Sequence, residues 1–324
     1  MPPYRVPLFL IGETATGKDG SMKKKKKSSN EKRNRAGYLF IAPFMLVFIT
    51  FSLYPVFRTL HLSFTDYSGF NTPTFVGLDN YSRVFKDQLF WKAFGNTLKI
   101  WGINIVLQLG VAFLLTMVFS DMKYRMKGLS MFRALFYLPN LIACTSVAFL
   151  FKTLLDWKFG SVNQIIGMLH LADQPIDWLG TPTLIRMVVG VIGAWMWFGN
   201  SFIMLMAGVQ GINSDYYEAA SIDGAGRWKL FGKITLPLLK PILLYVAITS
   251  LIGGLQIFDI PYLMSLQNQK MQRSVNTAVM YLYNMAFKNR QIGYAGAIAF
   301  ILFFIICICS VAIYFAMYAK KEED

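Results

Sequence analysis

The chain has 324 residues, of which 55% are hydrophobic, 16% aromatic and only 15% charged, with a mean hydropathy of +0.44 and a formal net charge of +15. Charged residues make up about 25% of an ordinary soluble domain, so this balance excludes that class and indicates a polytopic membrane protein. The positive charge does not indicate nucleic-acid binding, because it sits in short segments between apolar runs, without aromatic interleaving or a binding fold.

Gly12-Glu13-Thr14-Ala15-Thr16-Gly17-Lys18 follows a short apolar run and matches a phosphate-binding loop up to its last position. That loop needs Ser or Thr next, to reach Mg²⁺, and then a helix of an α/β unit. Here Asp19, Gly20 and a lysine run follow, so a nucleotide site is rejected. Residues 1–21 read as an upstream extension or a misassigned start, and Val6–Ile11 is too short for a signal-peptide core. Lys23–Lys27 with Lys32, Arg33 and Arg35 complete a disordered basic tail over residues 1–35, suited to an anionic lipid surface.

Charge-free runs then occur at Ala36–Phe57, Ile100–Ser120, Ala134–Phe151, Met187–Gln210, Pro241–Phe258 and Tyr294–Ala319. Each is near the roughly 17–25 residues that a helix needs to cross the hydrocarbon core. The expected fold is therefore all-α, a bundle of six membrane spans over residues 36–319, with both termini on one side. Segments 22–35, 121–133, 211–240 and 320–324 carry 18 Lys and Arg in 62 residues, against 12 in 109 for the opposite set. The first set is expected to be cytoplasmic, with 320–324 as a short cytoplasmic tail.

After the first span, Pro and Gly mark a loop, and from Asp79 the pattern turns amphipathic through Phe94, as in a helix lying at the outer interface. The third span contains Leu138-Pro139-Asn140, where proline loosens the helix and leaves an amide in the membrane. Cys144, Cys307 and Cys309 read as small core residues, since the last two, two apart on a helix, point to different sides. His61 and His170 are alone in sequence, and no cluster has metal-ligand spacing.

Polar groups in hydrocarbon cost free energy unless they are paired or face water, so they mark helix contacts or a solute path. Asn140, Trp195, Asn200, Gln256, Asp259 and Tyr262 are the candidates for the path. Gln256 and Asp259 are three apart and share a helix face, which Gly253 opens to a neighbour or ligand. Trp195 and Asn200 offer a ring and an amide, a pairing that suits sugars. The competing reading is that the amides are interhelical glue and that Trp197 anchors an interface.

Between the fourth and fifth spans, residues 211–240 form a polar island. Asp215 is placed to cap a short helix in which Tyr216, Ala219, Ala220 and Ile222 lie at steps of three and four. Gly224 and Gly226 punctuate it, a second helix follows from about Trp228, and Pro237 and Pro241 end or kink that one. The result is a helix-turn-helix knob joining two spans.

The spacing of Glu218, Ala219, Ala220, Gly224, Ile234, Leu236 and Pro237 resembles the cytoplasmic coupling loop of binding-protein-dependent ABC importer permeases. Phe75-Val76-Gly77-Leu78-Asp79-Asn80-Tyr81, Gly160-Ser161-Val162-Asn163 and Pro175-Ile176-Asp177-Trp178-Leu179-Gly180 resemble the carbohydrate-uptake group, specifically the permease with the longer outer loops. The resemblance covers the chain from about Gly37 onward. It implies the type I importer permease fold in a bacterial cytoplasmic membrane, and these seven residues as the ATPase-coupling element. It also implies a second homologous permease chain, two ATPase subunits and an extracytoplasmic solute-binding protein, with membrane lipid and no nucleic acid. No catalytic constellation is present; on this reading the chain binds no cofactor, and ATP-Mg belongs to the partners. The expected cargo is a sugar or oligosaccharide. A polyol or glycerol phosphate is the rival, for which Lys270, Arg273, Lys288 and Arg290 would suit a phosphate. A stand-alone carrier is a further rival, but paired intramembrane charges and inverted repeats are missing.

Overall fold

A computed structural model describes residues 38–120, 128–266 and 268–318. The basic tail, the Gly12–Lys18 near-match, the 121–127 loop and the 320–324 tail lie outside the described residues. What is described falls into one unit ending at Thr59 and another beginning at Leu60.

The first unit holds most of helix α1 (Tyr38–Ser63). Pro55 has no N–H to give the helical ladder. One turn earlier the helix widens to a π-turn at Ile49–Leu53, closed by the Tyr54 N–H on the Ile49 carbonyl.

The second unit opens on a small hairpin, β1 (Thr65–Asp66) against β2 (Thr74–Phe75), with Thr65 opposite Phe75. Helix α2 (Asp79–Lys86) follows, burying Val84 and leaving Phe85 exposed, and is amphipathic as expected. The expected amphipathic run to Phe94 is cut, however, at Asp87. Its carboxylate accepts the N–H groups of Leu89 and Phe90 and so caps α3 (Gln88–Phe119).

The centre of the unit is α3 packed along α7 (Pro182–Gln210). Ile100, Asn104, Gln108, Ala112 and Thr116, four residues apart in sequence, are all buried, whereas Val106, Leu107, Leu114 and Val118 are exposed. A period of four keeps one stripe on a single helix face, so α3 turns the amides of Asn104 and Gln108 and the Thr116 hydroxyl inward beside Ile100 and Ala112 and leaves an apolar face exposed. Gln108 Nε2 donates to Ser201 Oγ of α7 at 2.7 Å, with both side chains buried. Interhelical bonds of this kind contribute about 0.6 kcal/mol in membranes.

The expected third span is two helices. α4 (Leu129–Leu141) and α5 (Cys144–Leu154) meet at 86° around Ile142-Ala143. Pro139 sits in the last turn of α4 with no N–H to give, and Ile142 closes that turn on the Pro139 carbonyl. α4 presses its backbone onto α7 at Gly199, where a Cβ would overlap the Phe136 carbonyl. Helix α6 (Ser161–Met168) lies in the next connection, and α8 (Ser214–Ile222), α9 (Arg227–Leu230) and α10 (Leu236–Leu238) follow α7.

The expected fifth span ended near Phe258, but helical structure continues past it. α11 (Lys240–Leu255) breaks at Gln256 and resumes as α12 (Asp259–Ser265), together long and apolar enough for one span. Pro261 leaves the Ile257 carbonyl without a helical donor, and the Thr277 hydroxyl takes that place at 2.8 Å. α13 (Gln269–Val275), α14 (Ala278–Tyr283) and α15 (Ile292–Tyr318) complete the chain. Among the described residues, five helices are long and apolar enough to cross a membrane, or six with the bent α4–α5 pair counted as one.

Candidate functional site

Two places hold the sequence-selected residues. The first is the knob after α7. Its opening cap is Asn213, not Asp215: the Asn213 side chain accepts the Asp215 N–H, and Asp215 lies in the first turn, favourable at a helix N-terminus. The residue buried on α8 is Tyr217, whose hydroxyl pairs with Thr235 Oγ1 at 3.0 Å. Tyr216 and Ile222, expected near one another on α8, are 57% and 87% exposed.

α8 ends in a Schellman motif. The Ala225 N–H reaches back to the Ala220 carbonyl at 2.9 Å and the Gly224 N–H to the Ser221 carbonyl, with Gly224 at φ +74°. A side chain strains that backbone region by about 1–2 kcal/mol. Among the described residues beyond its chain neighbours, nothing lies within 4 Å of a Cβ placed there, so the space beside Gly224 is open.

From Arg227 the chain is helical to Thr235 with a π-turn at Phe231–Thr235, one turn before Pro237 as in α1. Arg227 donates to the Val118 carbonyl at 2.6 Å, pinning the knob to the end of α3. Glu218, Ala219, Gly224 and Pro237 are exposed; Ala220, Ile234 and Leu236 are half-buried. With Trp228 at 73% exposure, the knob presents Tyr216, Ile222 and Trp228 on a rigidly anchored frame.

The second place is a cavity of about 380 Å³ among α3, α4, α7 and α11. It brings together Asn140, Asn200, Gln256 and Asp259 of the six candidates. Trp195 and Tyr262 are not in its wall. Trp195 packs edge-on against Phe151 at 5.6 Å, inside an apolar cluster. Two residues on, Trp197 faces the other side of α7 and lines the cavity. Tyr262 stacks on Phe258 at 4.8 Å, one ring beyond the cavity wall.

Sequence reasoning missed Asn104, Gln108 and Ser201, which also line this cavity. The signal was two amides one helical turn apart inside a charge-free run. Gly253 does open into the cavity, but the close approach is at Gly254, against which the Trp101 indole is packed. Among the described residues, Trp101 Nε1 has no hydrogen-bond partner. Amide, hydroxyl, carboxylate and indole groups around an otherwise apolar space are the composition of a small-molecule site. Among the described residues, no group of three or more His, Cys, Asp or Glu could hold a metal.

At the end of the unit where α3 starts, Asp87 accepts hydrogen bonds from the Tyr281 and Tyr294 hydroxyls, the latter at 2.6 Å. Burial pushes its pKa up, but these two bonds and the Leu89 and Phe90 N–H groups together outweigh it and leave the value lowered. Arg83 lies 4.0 Å above the Tyr294 ring and donates to Gln291 at 2.9 Å.

The chain is similar in sequence and in fold to known proteins. The chain is 32% identical to the probable ABC transporter permease protein YesP of Bacillus subtilis, over 94% of this chain and 99% of YesP. It is 31% identical to the lactose transport system permease protein LacF of Rhizobium radiobacter, over 89% and 94%. A solved bacterial ABC transporter involved in import of the acidic polysaccharide alginate contains a chain that superposes with a TM-score of 0.77 at 22% identity, covering 92% of this chain and 100% of that one. The binding-protein-dependent transport system inner membrane component family matches residues 31–322, and this chain belongs to it, as a permease subunit of an ABC importer with the type I importer permease fold.

Proposed function

We propose that this permease moves a sugar or oligosaccharide through the cavity bounded by Asn140, Trp197, Asn200, Gln256 and Asp259, and that the knob around Glu218 and Gly224 couples this passage to a partner ATPase. The observation that carries the proposal is the cavity wall itself. Amides and a carboxylate suit hydroxyl groups, and Trp101 and Trp197 supply ring surfaces and one unpartnered N–H. Related permeases named for lactose, arabino-oligosaccharides and multiple sugars support the substrate class.

The working assembly has a second homologous permease chain, two ATPase subunits that use ATP-Mg, and an extracytoplasmic binding protein. A solved relative of the same fold is described in complex with a pentasaccharide-bound periplasmic protein, which supports the last of these. Residues 211–240 lie on the cytoplasmic side of a bacterial membrane, with both termini, on the charge asymmetry of the loops. The exposed Tyr216, Ile222 and Trp228 and the open space beside Gly224 are the docking surface for the ATPase. A two-helix knob held by Asn213, Tyr217–Thr235 and Arg227 transmits movement as a rigid body. Lys270, Arg273, Lys288 and Arg290 are not among the cavity residues, which disfavours a phosphorylated cargo.

The test is uptake of labelled lactose and arabino-oligosaccharides by the native assembly in liposomes. Asn200→Ala and Gln256→Ala should each lower uptake about tenfold or alter saccharide preference, as loss of one hydrogen bond to a solute would. Unchanged rate and preference in both variants would reject the path.

A further inference from the structure

The structure holds a run of aromatic rings that starts at the cavity wall, leads away from it and lies outside the apolar core clusters. Phe258 lines the cavity and stacks on Tyr262 with centroids 4.8 Å apart and planes 18° off parallel. Tyr283 packs on both, at 5.2 Å and 5.4 Å, and Phe287 follows at 5.0 Å. Three short elements bring these rings together. α12 carries Tyr262, α14 carries Tyr283, and the π-turn Asn284–Lys288 carries Phe287. The Thr277 hydroxyl holds the start of α14 to the Ile257 carbonyl, which fixes Tyr283 beside Phe258.

Core rings elsewhere in the unit are fully enclosed, with Phe90 and Phe202 at 0% exposure. Along this run enclosure falls from half-buried Phe258, Tyr262 and Tyr283 to Phe287 at 70%. Polar groups accompany the rings. Tyr262 and Tyr283 each carry a phenol, and the Lys288 ammonium stands 5.8 Å from the Tyr262 ring. Phenols and an ammonium also suit a membrane interface, but a patch serving only lipid would have no reason to run into a polar cavity. Rings edged by hydroxyl donors suit a glycan, whose C–H faces pack on aromatic faces while its hydroxyls stay hydrogen-bonded.

We propose that Phe258, Tyr262, Tyr283 and Phe287 form an aromatic track for the second and later residues of an oligosaccharide whose leading residue occupies the cavity. This rests on the carbohydrate reading of the cavity and extends it to chain length. Shorter saccharides fit the cavity alone and do not depend on the track. Longer ones need it, because their trailing residues would otherwise lose all contact while the leading one is held.

The experiment uses the native assembly in liposomes with labelled arabino-oligosaccharides of two to five residues, and lactose as the short reference. Tyr283→Leu and Phe287→Leu keep apolar bulk and remove the ring. Each should lower uptake of the longest probes about tenfold and change lactose and the disaccharide less than twofold. Tyr283→Phe keeps the ring and should transport the longest probes as the parent does. Equal transport of every length by both leucine variants overturns the track and leaves the cavity reading standing. So does an equal loss at every length in an intact assembly. Failure of the leucine variants to co-purify with their partner subunits also overturns it, by showing that the rings are a subunit contact. A wild-type assembly that transports none of these saccharides sinks the carbohydrate reading and the track with it.

Discussion

The Thr277 hydroxyl donates to the Ile257 carbonyl at 2.8 Å, the carbonyl that Pro261 leaves without a helical donor. The same oxygen accepts the Met280 N–H and starts α14. One side chain therefore closes a break in a membrane helix and positions the next helix beside it. Broken helices at membrane depth are tolerated where their free backbone groups are satisfied or line a cavity, and this break does both.

Thr277→Val keeps the shape and removes both bonds. A buried carbonyl left unmatched costs about 1–3 kcal/mol. The detergent-solubilised protein should lose several degrees in Tm, and Thr277→Ser should recover most of them. A valine variant as stable as the parent would show that the break needs no such closure.

Gly224 separates strain from space. Asn tolerates the left-handed backbone, so Gly224→Asn should fold and assemble with a Tm near that of the parent, yet it fills the open space beside the turn. ATPase activity of the assembly should then no longer respond to solute uptake. Gly224→Val adds backbone strain of about 1–2 kcal/mol as well, and its Tm should fall. Pro237→Ala should do less than either, since the π-turn before it and the Arg227 anchor remain. Normal coupling in the Asn variant would remove the ATPase from this surface.

Gly199 and Gly253 differ in what a methyl group would meet. At Gly199 it overlaps the Phe136 carbonyl, a backbone atom that cannot turn aside. Gly199→Ala should lower stability by about 1–3 kcal/mol, the usual cost of overpacking, read as a drop in Tm. At Gly253 the methyl meets nothing within 4 Å and projects into the cavity region, so Gly253→Ala should leave Tm in place and alter uptake.

The Asp87 cluster gives a signed pH effect. The folded-state pKa of Asp87 lies below its ordinary 3.8, so its contribution is present above that value and is lost as pH falls through and below it. Tm of the parent should decline more steeply below about pH 4 than that of Asp87→Asn, which has no charge to lose there. Tyr281→Phe removes one hydrogen bond to the carboxylate and should flatten the same limb. Parallel pH profiles for parent and Asp87→Asn would show that other groups govern acid stability.

The sequence by itself determined the class, the six apolar runs and the chemistry of the knob. These are properties of consecutive residues: span length follows from hydrocarbon thickness, and the turn after Ala220 follows from a glycine at the one position that adopts a left-handed backbone. It also supplied four of the cavity residues, because amides and acids in apolar runs stand out without any knowledge of their neighbours. Only the tertiary structure decided which face each helix shows to which other. Trp195 and Trp197 are equivalent as letters, and α7 packing alone sends one into the core and the other into the cavity wall. Asn104 and Gln108 joined the site because Gly193 and Ser201 of α7 receive them, a pairing between residues about ninety positions apart. The 86° bend after Pro139 and the closure of the α11–α12 break were also tertiary outcomes. A proline states only that a donor is missing, and whether the chain bends, widens to a π-turn or borrows a distant hydroxyl depends on what packs beside it.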